Sequence, residues 1–290
     1  MKHRSLIPAA VALTIPMVCQ AAITTTNLEA YFTFDSDTLT GTTTFVDQWT
    51  TDGNADNIGR TTLATKTGKF GEAANTSTTG GTPRAIVSAG SPASEINSVW
   101  MPGTGDYTLS FWYQQDSTGT NNRIFNAGAR NSDANQDDGF QIFLLTTGAV
   151  EIAYHDPAIT ANSTRSLFTT GAGAFDFGIS NWNHLALVRE GTTLSIWVNG
   201  VEASNTLTVG YNLGVNTGTY FREPNFGPDA SVSNSAWDDA GIWHTALADS
   251  EIAQIYNGGT GASIGSLIPE PSGAALFGSF GVLALLRRRR

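Results

Sequence analysis

Very little of this chain is charged, and almost none of it is cysteine. Charged residues make up 14% of the 290, against roughly a quarter in an average soluble domain. The one cysteine, Cys19, falls in an N-terminal apolar stretch, so the remainder has no disulfide framework and no thiol chemistry. Basic residues are scarce, 15 against 25 acidic, and six of them sit at the ends. Setting aside Lys2, Arg4, Glu270 and Arg287–Arg290 leaves nine basic and 24 acidic residues, a net charge of −15. A body of that sign repels a phosphate backbone and no Lys/Arg cluster interrupts it, which excludes nucleic acid as a main partner. Long apolar runs are short too: the C-terminal one, Ala274–Leu286, has 13 residues and reaches about 20 Å of a ~30 Å hydrocarbon core. What is plentiful is Gly, at 31 residues, with Thr, Ser and Asn, and 10% aromatics. That much aromatic surface offsets chain entropy, so the composition describes a folded chain.

Both ends read as addresses. Met1–Arg4 is basic, Leu6–Val18 is apolar, and Cys19-Gln20-Ala21-Ala22 offers small residues for cleavage, the order of a secretory signal peptide over residues 1–22. Pro8 and Pro16 argue against a buried helix there. At the other end, Pro269-Glu270-Pro271 precedes the apolar run and then Arg287, Arg288, Arg289 and Arg290. Snorkelling arginines and local bilayer thinning cover part of the length deficit, and the arginines stay cytoplasmic with the body outside. This tail, residues 268–290, resembles the PEP-CTERM sorting signal of Gram-negative bacteria. The resemblance implies an exosortase as processing partner, a short transmembrane helix held in the inner membrane before processing, and export to the cell surface or exopolysaccharide matrix.

Between the ends the period is two. Leu28, Ala30, Phe32 and Phe34 alternate with Glu29, Tyr31 and Thr33; Tyr107, Leu109, Phe111 and Tyr113 alternate with Thr108, Ser110 and Trp112; Leu194, Ile196 and Val198 alternate with Ser195 and Trp197. Each reads as a strand with one face on a core. Asn199-Gly200 is a two-residue hairpin signal. Further strands are expected at Ile124–Ala129, Phe140–Leu145, Val150–Tyr154, Leu185–Val188 and Trp237–Trp243. One helix is expected after Asp249 as its cap, with Ile252, Ile255 and Tyr256 on one face and Asn257-Gly258 ending it. Residues 259–267, rich in Gly and Ser, read as a flexible linker.

The fold class is therefore all-β, a two-sheet antiparallel sandwich with one short C-terminal helix. Residues 23–258 resemble the LamG-like, concanavalin A-like jelly-roll domains of bacterial secreted proteins. The resemblance is carried in order by Leu28–Asp35, Gly68–Ala73, Asp106–Tyr113, Trp182–Val188, Gly191–Gly200 and Asp239–Trp243. It implies binding of carbohydrate or protein, sometimes with calcium, and generally no catalysis.

Chemistry-bearing patterns are few. His155, His184 and His244 lack any metal-ligand spacing, and His184 reads as a hydrogen-bonded packing residue. Gly261-Ala262-Ser263-Ile264-Gly265 spells G-x-S-x-G but lacks the preceding strand a nucleophile elbow requires. The adjacent pairs Asp137-Asp138 and Asp238-Asp239 would point to opposite faces of a strand, so neither makes the facing carboxylates of a glycosidase. Asp133, Asn135, Asp137 and Asp138 put hard oxygens at alternating positions of one polar loop, a candidate calcium site, though Asp138 stands where an EF-hand needs Gly. A solvated acidic turn accounts for the same residues. Asp238 and Asp239 are a weaker candidate, explained equally by pairing with Arg189 or with backbone amides. Trp112 and Trp197 lie opposite the aliphatic stripe and are the candidate sugar-binding aromatics, unless loops or the terminal helix cover them; Trp182 and Trp243 are expected in the core. The expectation is an exported, non-enzymatic surface or matrix protein that binds polysaccharide or a surface protein. The alternatives are a polysaccharide hydrolase or lyase on the same scaffold, or a purely structural matrix component.

Overall fold

The structure, a computed structural model, describes residues 22–41, 44–49, 58–59, 64–76, 86–88, 104–116, 121–130, 137–155, 165–208, 221–226 and 234–268. The first strands are β1 (Leu28–Phe32), β2 (Leu39–Thr40), β3 (Thr44–Phe45), β4 (Ile58–Gly59), β5 (Thr65–Thr67), β6 (Glu72–Asn75) and β7 (Ile86–Ser88). The long central strands follow: β8 (Tyr107–Gln115), β9 (Asn122–Arg130), β10 (Asp137–Leu144), β11 (Val150–His155), β12 (Arg165–Thr169), β13 (Trp182–Glu190) and β14 (Thr193–Val198). Then come β15 (Val201–Glu202), β16 (Leu207–Thr208), β17 (Phe221–Phe226) and β18 (Ser235–Trp243), with helices α1 (Asp249–Tyr256) and α2 (Ile264–Leu267).

These strands make two antiparallel sheets. The first runs β15-β14-β13-β8-β18-β6-β5, with β1 also on β18 and β16 also on β14; the second runs β12-β11-β10-β9-β17-β7-β4-β3-β2. Every segment expected as a strand contains one, though β1 stops at Phe32 and Phe34, expected to continue it, turns out of the strand at φ 60°. Between the sheets lies the main core, where Leu109, Phe111 and Tyr113 of β8 meet Ile142 and Leu144 of β10 and Phe125 of β9. Period-two alternation produces this, since every second side chain of each strand faces the other sheet.

The first sheet is covered on its other face as well. Trp197 and Ala186 on that face pack with Ile252 and Ile255 of α1, Ile264 and Leu267 of α2, and Ile23 of the N-terminal segment. β8 and β18 are consequently buried along all nine residues each. The Gly/Ser-rich residues 259–267, expected as a flexible linker, are part of this layer. Ile264 and Leu267 are buried, and the Ile23 amide donates to the Leu267 carbonyl at 3.3 Å. Two aliphatic side chains among small residues leave no period to read, yet they are enough to seat the segment.

Helix α1 forms where expected, and Asn257 ends it in the left-handed region at φ 45°. Asp249 is its first helical residue, not its cap. The cap position is Ala248, whose amide donates to Glu251 Oε2 at 2.8 Å. The Asn199-Gly200 turn joins β14 to β15 with both residues at positive φ, as a two-residue hairpin requires.

One irregularity in β18 matters for the site. Its register with β8 shifts between Asp238, opposite Trp112, and Gly241, opposite Ser110, so Asp239 and Ala240 together face one residue. Asp239 takes φ 46° at this bulge. Trp237 and Ala240 face the main core, and the two aspartates between them both turn toward the helical layer. The expectation that adjacent acids face opposite ways fails here because a bulge inserts one residue into the alternation.

Candidate functional site

A polar groove of about 320 Å³ opens at one rim of the first sheet, where β13 begins and β14 ends. Its wall is the loop 170–181, shaped by two asparagines. Asn183, fully buried, accepts from the Asp176 amide at 2.8 Å and donates back to the Asp176 carbonyl at 2.8 Å. Asn199 donates to Asn183 Oδ1 at 2.9 Å and to the Ala174 carbonyl at 3.2 Å, and accepts the His184 amide at 3.0 Å. These amides are spent on the backbone and on each other. The groups presented to solvent are the Asp176 carboxylate and the Ser180 hydroxyl, both exposed, with half-buried Trp182 beside them.

Tyr256, the last residue of α1, forms the opposite wall. Its ring lies over Trp112 at 6.2 Å and over His184 at 6.4 Å between centroids. Gly200 makes that position available, since a Cβ there would collide with the edge of the Tyr256 ring. Lys69, from the turn between β5 and β6, completes the groove. Its ammonium donates to the Gly259 carbonyl at 2.7 Å and stands 4.4 Å from the Trp112 ring centroid. Burial pushes its pKa down, opposed by the nearby Asp238.

One carboxylate, one ammonium, hydroxyls and two aromatic rings suit hydrogen bonding to a polyhydroxylated ligand with an apolar face. Glycoside hydrolysis takes a pair of carboxyl groups flanking the bond; among the described residues, Asp176 is the one carboxylate lining this groove.

The tryptophans are distributed differently from expectation. Trp112 is 0% exposed and Trp197 9%, both beneath the helical layer. Phe70 meets the Trp112 ring edge-on at 6.0 Å and Tyr256 lies over it. Neither is an open sugar platform: the strand pattern places them off the main core, and the terminal helix then covers them. Trp243 is buried as expected, whereas Trp182, expected in the core, is half-buried and lines the groove.

Beneath Tyr256 lies a sealed polar row. His184, Trp112 and Asp238 are register neighbours across β13, β8 and β18. His184 Nε2 bonds Ser110 Oγ at 2.8 Å, and burial pulls its pKa down to about 3, so the ring is neutral. Asp238 Oδ2 accepts the Lys69 and Phe70 amides at 2.6 and 2.9 Å. Asp239 accepts the Tyr31 hydroxyl at 2.8 Å and the Ile264 amide at 2.9 Å. Backbone amides therefore explain both acids; Arg189 Nε bonds the Gly191 carbonyl instead. Burial raises Asp238 to about 9 and Asp239 to about 7, with mutual repulsion adding to the first. Raised carboxyl pKa values often mark catalytic acids, but these two are at most 1% exposed and brace backbone segments.

Of the candidate calcium residues, Asp133 and Asn135 lie outside the described residues. Asp137 and Asp138 belong to β10, paired with Arg130 and Ala129 of β9, and not to a loop. Among the described residues no three His, Cys, Asp or Glu converge to hold a metal ion. His155 ends β11, and His244 Nδ1 pairs with Glu29 at 3.3 Å. Ser263 precedes α2 and its hydroxyl bonds Tyr31 at 3.3 Å, so the G-x-S-x-G match has no strand before it. Residues 1–21 and the sorting residues Pro269, Glu270, Pro271 and Arg287–Arg290 lie outside the described residues, within which no helix is long and apolar enough to cross a membrane. Sequence reasoning missed Lys69, Asp176, Ser180 and Asn181, which sit in turns without periodicity; only the Trp182-Asn183 and Asn199-Gly200 pairs gave a signal.

The family model of the concanavalin A-like lectin/glucanases superfamily (Laminin_G_3) matches residues 88–253. No curated protein matches the chain. Among solved structures, the binding domain of botulinum neurotoxin DC in complex with rat synaptotagmin II superposes with a TM-score of 0.55 at 14% identity, covering 80% of this chain and 51% of that one. The binding domain of Paraclostridial Mosquitocidal Protein 1 gives 0.56 at 16%, covering 80% and 52%. A botulinum neurotoxin type C structure, whose cell entry is described as dependent on two ganglioside molecules, gives 0.55 at 14%, with 80% and 51%. The chain thus spans about half the length of these structures, and at such identities the likeness is one of fold.

Proposed function

The chain belongs to the concanavalin A-like lectin/glucanases superfamily, and on that footing we propose that it is an exported, non-catalytic binding protein whose rim groove takes carbohydrate. The observation that carries this is the groove itself, with Tyr256 and Trp182 as aromatic walls and Lys69, Asp176 and Ser180 as polar contacts. The sealing of Asp238 and Asp239 weighs against their serving as hydrolytic acids. Two neurotoxin structures, about half of whose length this fold covers, are described with a protein, synaptotagmin II, and with gangliosides, which keeps both kinds of partner in view.

The placement of Ile23 and Leu267, near the two ends of the described body, supports display at a surface. Ile23 and Leu267 are joined, and the Trp243 indole donates to the Thr24 carbonyl at 3.0 Å, which fixes these residues near Thr108, the β8 partner of Trp243. The groove lies beside Trp182, whose β8 partner is Gln114. Those partners are six residues apart along β8, roughly 20 Å. A tail handled by an exosortase at one end leaves the groove at the other end facing outward, toward matrix or a neighbouring surface.

Binding of the full chain in detergent to a glycan array, with and without chelator, tests the reading. The result expected is retention of some glycans, lost in Tyr256→Ala. Retention of none, alongside reducing-sugar release from a polysaccharide, transfers the case to the enzyme alternative.

A further inference from the structure

A second groove, of about 430 Å³, lies across the Asn199-Gly200 turn from the first. Asn199 lines both. The second groove is the more apolar, walled by Val198, Val201 and Ala203 with Glu202 and Thr170 at its margin. We propose that the two grooves are one cleft, and that it holds an internal stretch of a linear glycan laid across the Asn199 turn; this rests on the carbohydrate reading above.

Three observations carry it. Neither groove is an enclosed pocket that would receive and stop a chain end. Each volume falls near the lower limit for a single small-molecule site, so several linked rings need both. The ridge between them is fixed, because both ends of the Asn199 amide are bonded to the wall, to Ala174 and Asn183 on one side and His184 on the other. A preformed ridge costs the ligand no ordering of protein.

The surface chemistry suits a sugar chain better than a peptide. One flank offers Lys69, Asp176 and Ser180 to hydroxyl groups; the other offers methyl groups to the C–H face of a ring. Val201, which lines the second groove, is 69% exposed and so stands open to a ligand. A short ligand confined to the first groove leaves Val201 unused.

The test is calorimetry of the full chain against ladders of cello-, xylo-, chito- and alginate oligosaccharides, from one unit to six. In the series that binds, affinity should rise by about tenfold or more between the short and long members. Asp176→Ala and Val201→Glu, on opposite flanks, should each weaken the hexasaccharide by about tenfold with the melting temperature unchanged. A monosaccharide that binds as tightly as the hexasaccharide overturns the continuous cleft and leaves the carbohydrate reading standing. Binding indifferent to Val201→Glu also overturns it. If no ladder binds and a peptide or protein does, the carbohydrate reading falls and the cleft with it.

Discussion

The Tyr31 hydroxyl donates a 2.8 Å hydrogen bond to Asp239, whose second oxygen receives the Ile264 amide. One bulged residue of β18 thereby ties the first strand to the segment that follows the terminal helix. Asp238, its neighbour, does the same for the turn that carries Lys69. Both acids face the helical layer and both are kept protonated mainly by burial, Asp238 to about 9 and Asp239 to about 7.

Stability should therefore fall with rising pH across a window where most aspartates have no effect. An unfolded aspartate titrates near 3.9. Below that value both states hold the proton; from there up to about 9 the unfolded chain releases it while folded Asp238 keeps it. The folded state binds more protons throughout this window, so unfolding becomes easier as pH rises. His184, held neutral down to about 3, acts with the opposite sign below about 6.5. Asp238→Asn isolates the aspartate, since its side-chain oxygen still accepts the two amides. Urea melts at pH 5, 7 and 9 should show the variant gaining on the parent at each step; a constant difference would refute the assignment.

Trp112 and Trp182 should separate cleanly. Trp112→Ala removes a fully buried ring and should cost about 3–5 kcal/mol of stability. Trp182→Ala should cost about 1 kcal/mol yet abolish retention on the glycan that the parent binds. Equal losses of stability in both would mean that Trp182 belongs to the core after all.

Gly200→Ala meets two obstacles, a φ of +73° and the Tyr256 ring. A destabilisation of about 1–3 kcal/mol is expected from the backbone alone. Because the new methyl displaces Tyr256, ligand affinity should drop further than in Gly191→Ala, where φ is +56° but nothing lies within 4 Å. Comparing the two variants by calorimetry separates strain from displacement.

Ile264 and Leu267 should behave as core residues. Ile264→Ala should lower the unfolding free energy by about 2–5 kcal/mol, and a chain stopped at residue 258 should melt at lower temperature than one stopped at 268. A linker would show neither effect.

Much of the sandwich was legible because its signal is local. The stripe Leu109, Phe111, Tyr113 and the pair Asn199-Gly200 each declare a conformation within a few residues. The groove was legible only at its edges, through the Trp182-Asn183 and Asn199-Gly200 pairs. Asp176 and Lys69 meet there from positions more than a hundred residues apart, and nothing near either one announces the encounter.

Alternation alone determined which face of β8 enters the space between the sheets, since every second residue of a strand must point the same way. It could not determine the fate of the other face, where Trp112 and Trp197 stood ready for solvent or for cover. That was settled when α1, α2 and residues 22–27 folded onto it, joined by Ile23–Leu267 and Tyr31–Asp239 contacts that span most of the chain. Burial is a property of what arrives from elsewhere, so the same tryptophans that strand periodicity offers as ligand contacts end beneath the helical layer, Trp112 directly under the Tyr256 wall of the groove.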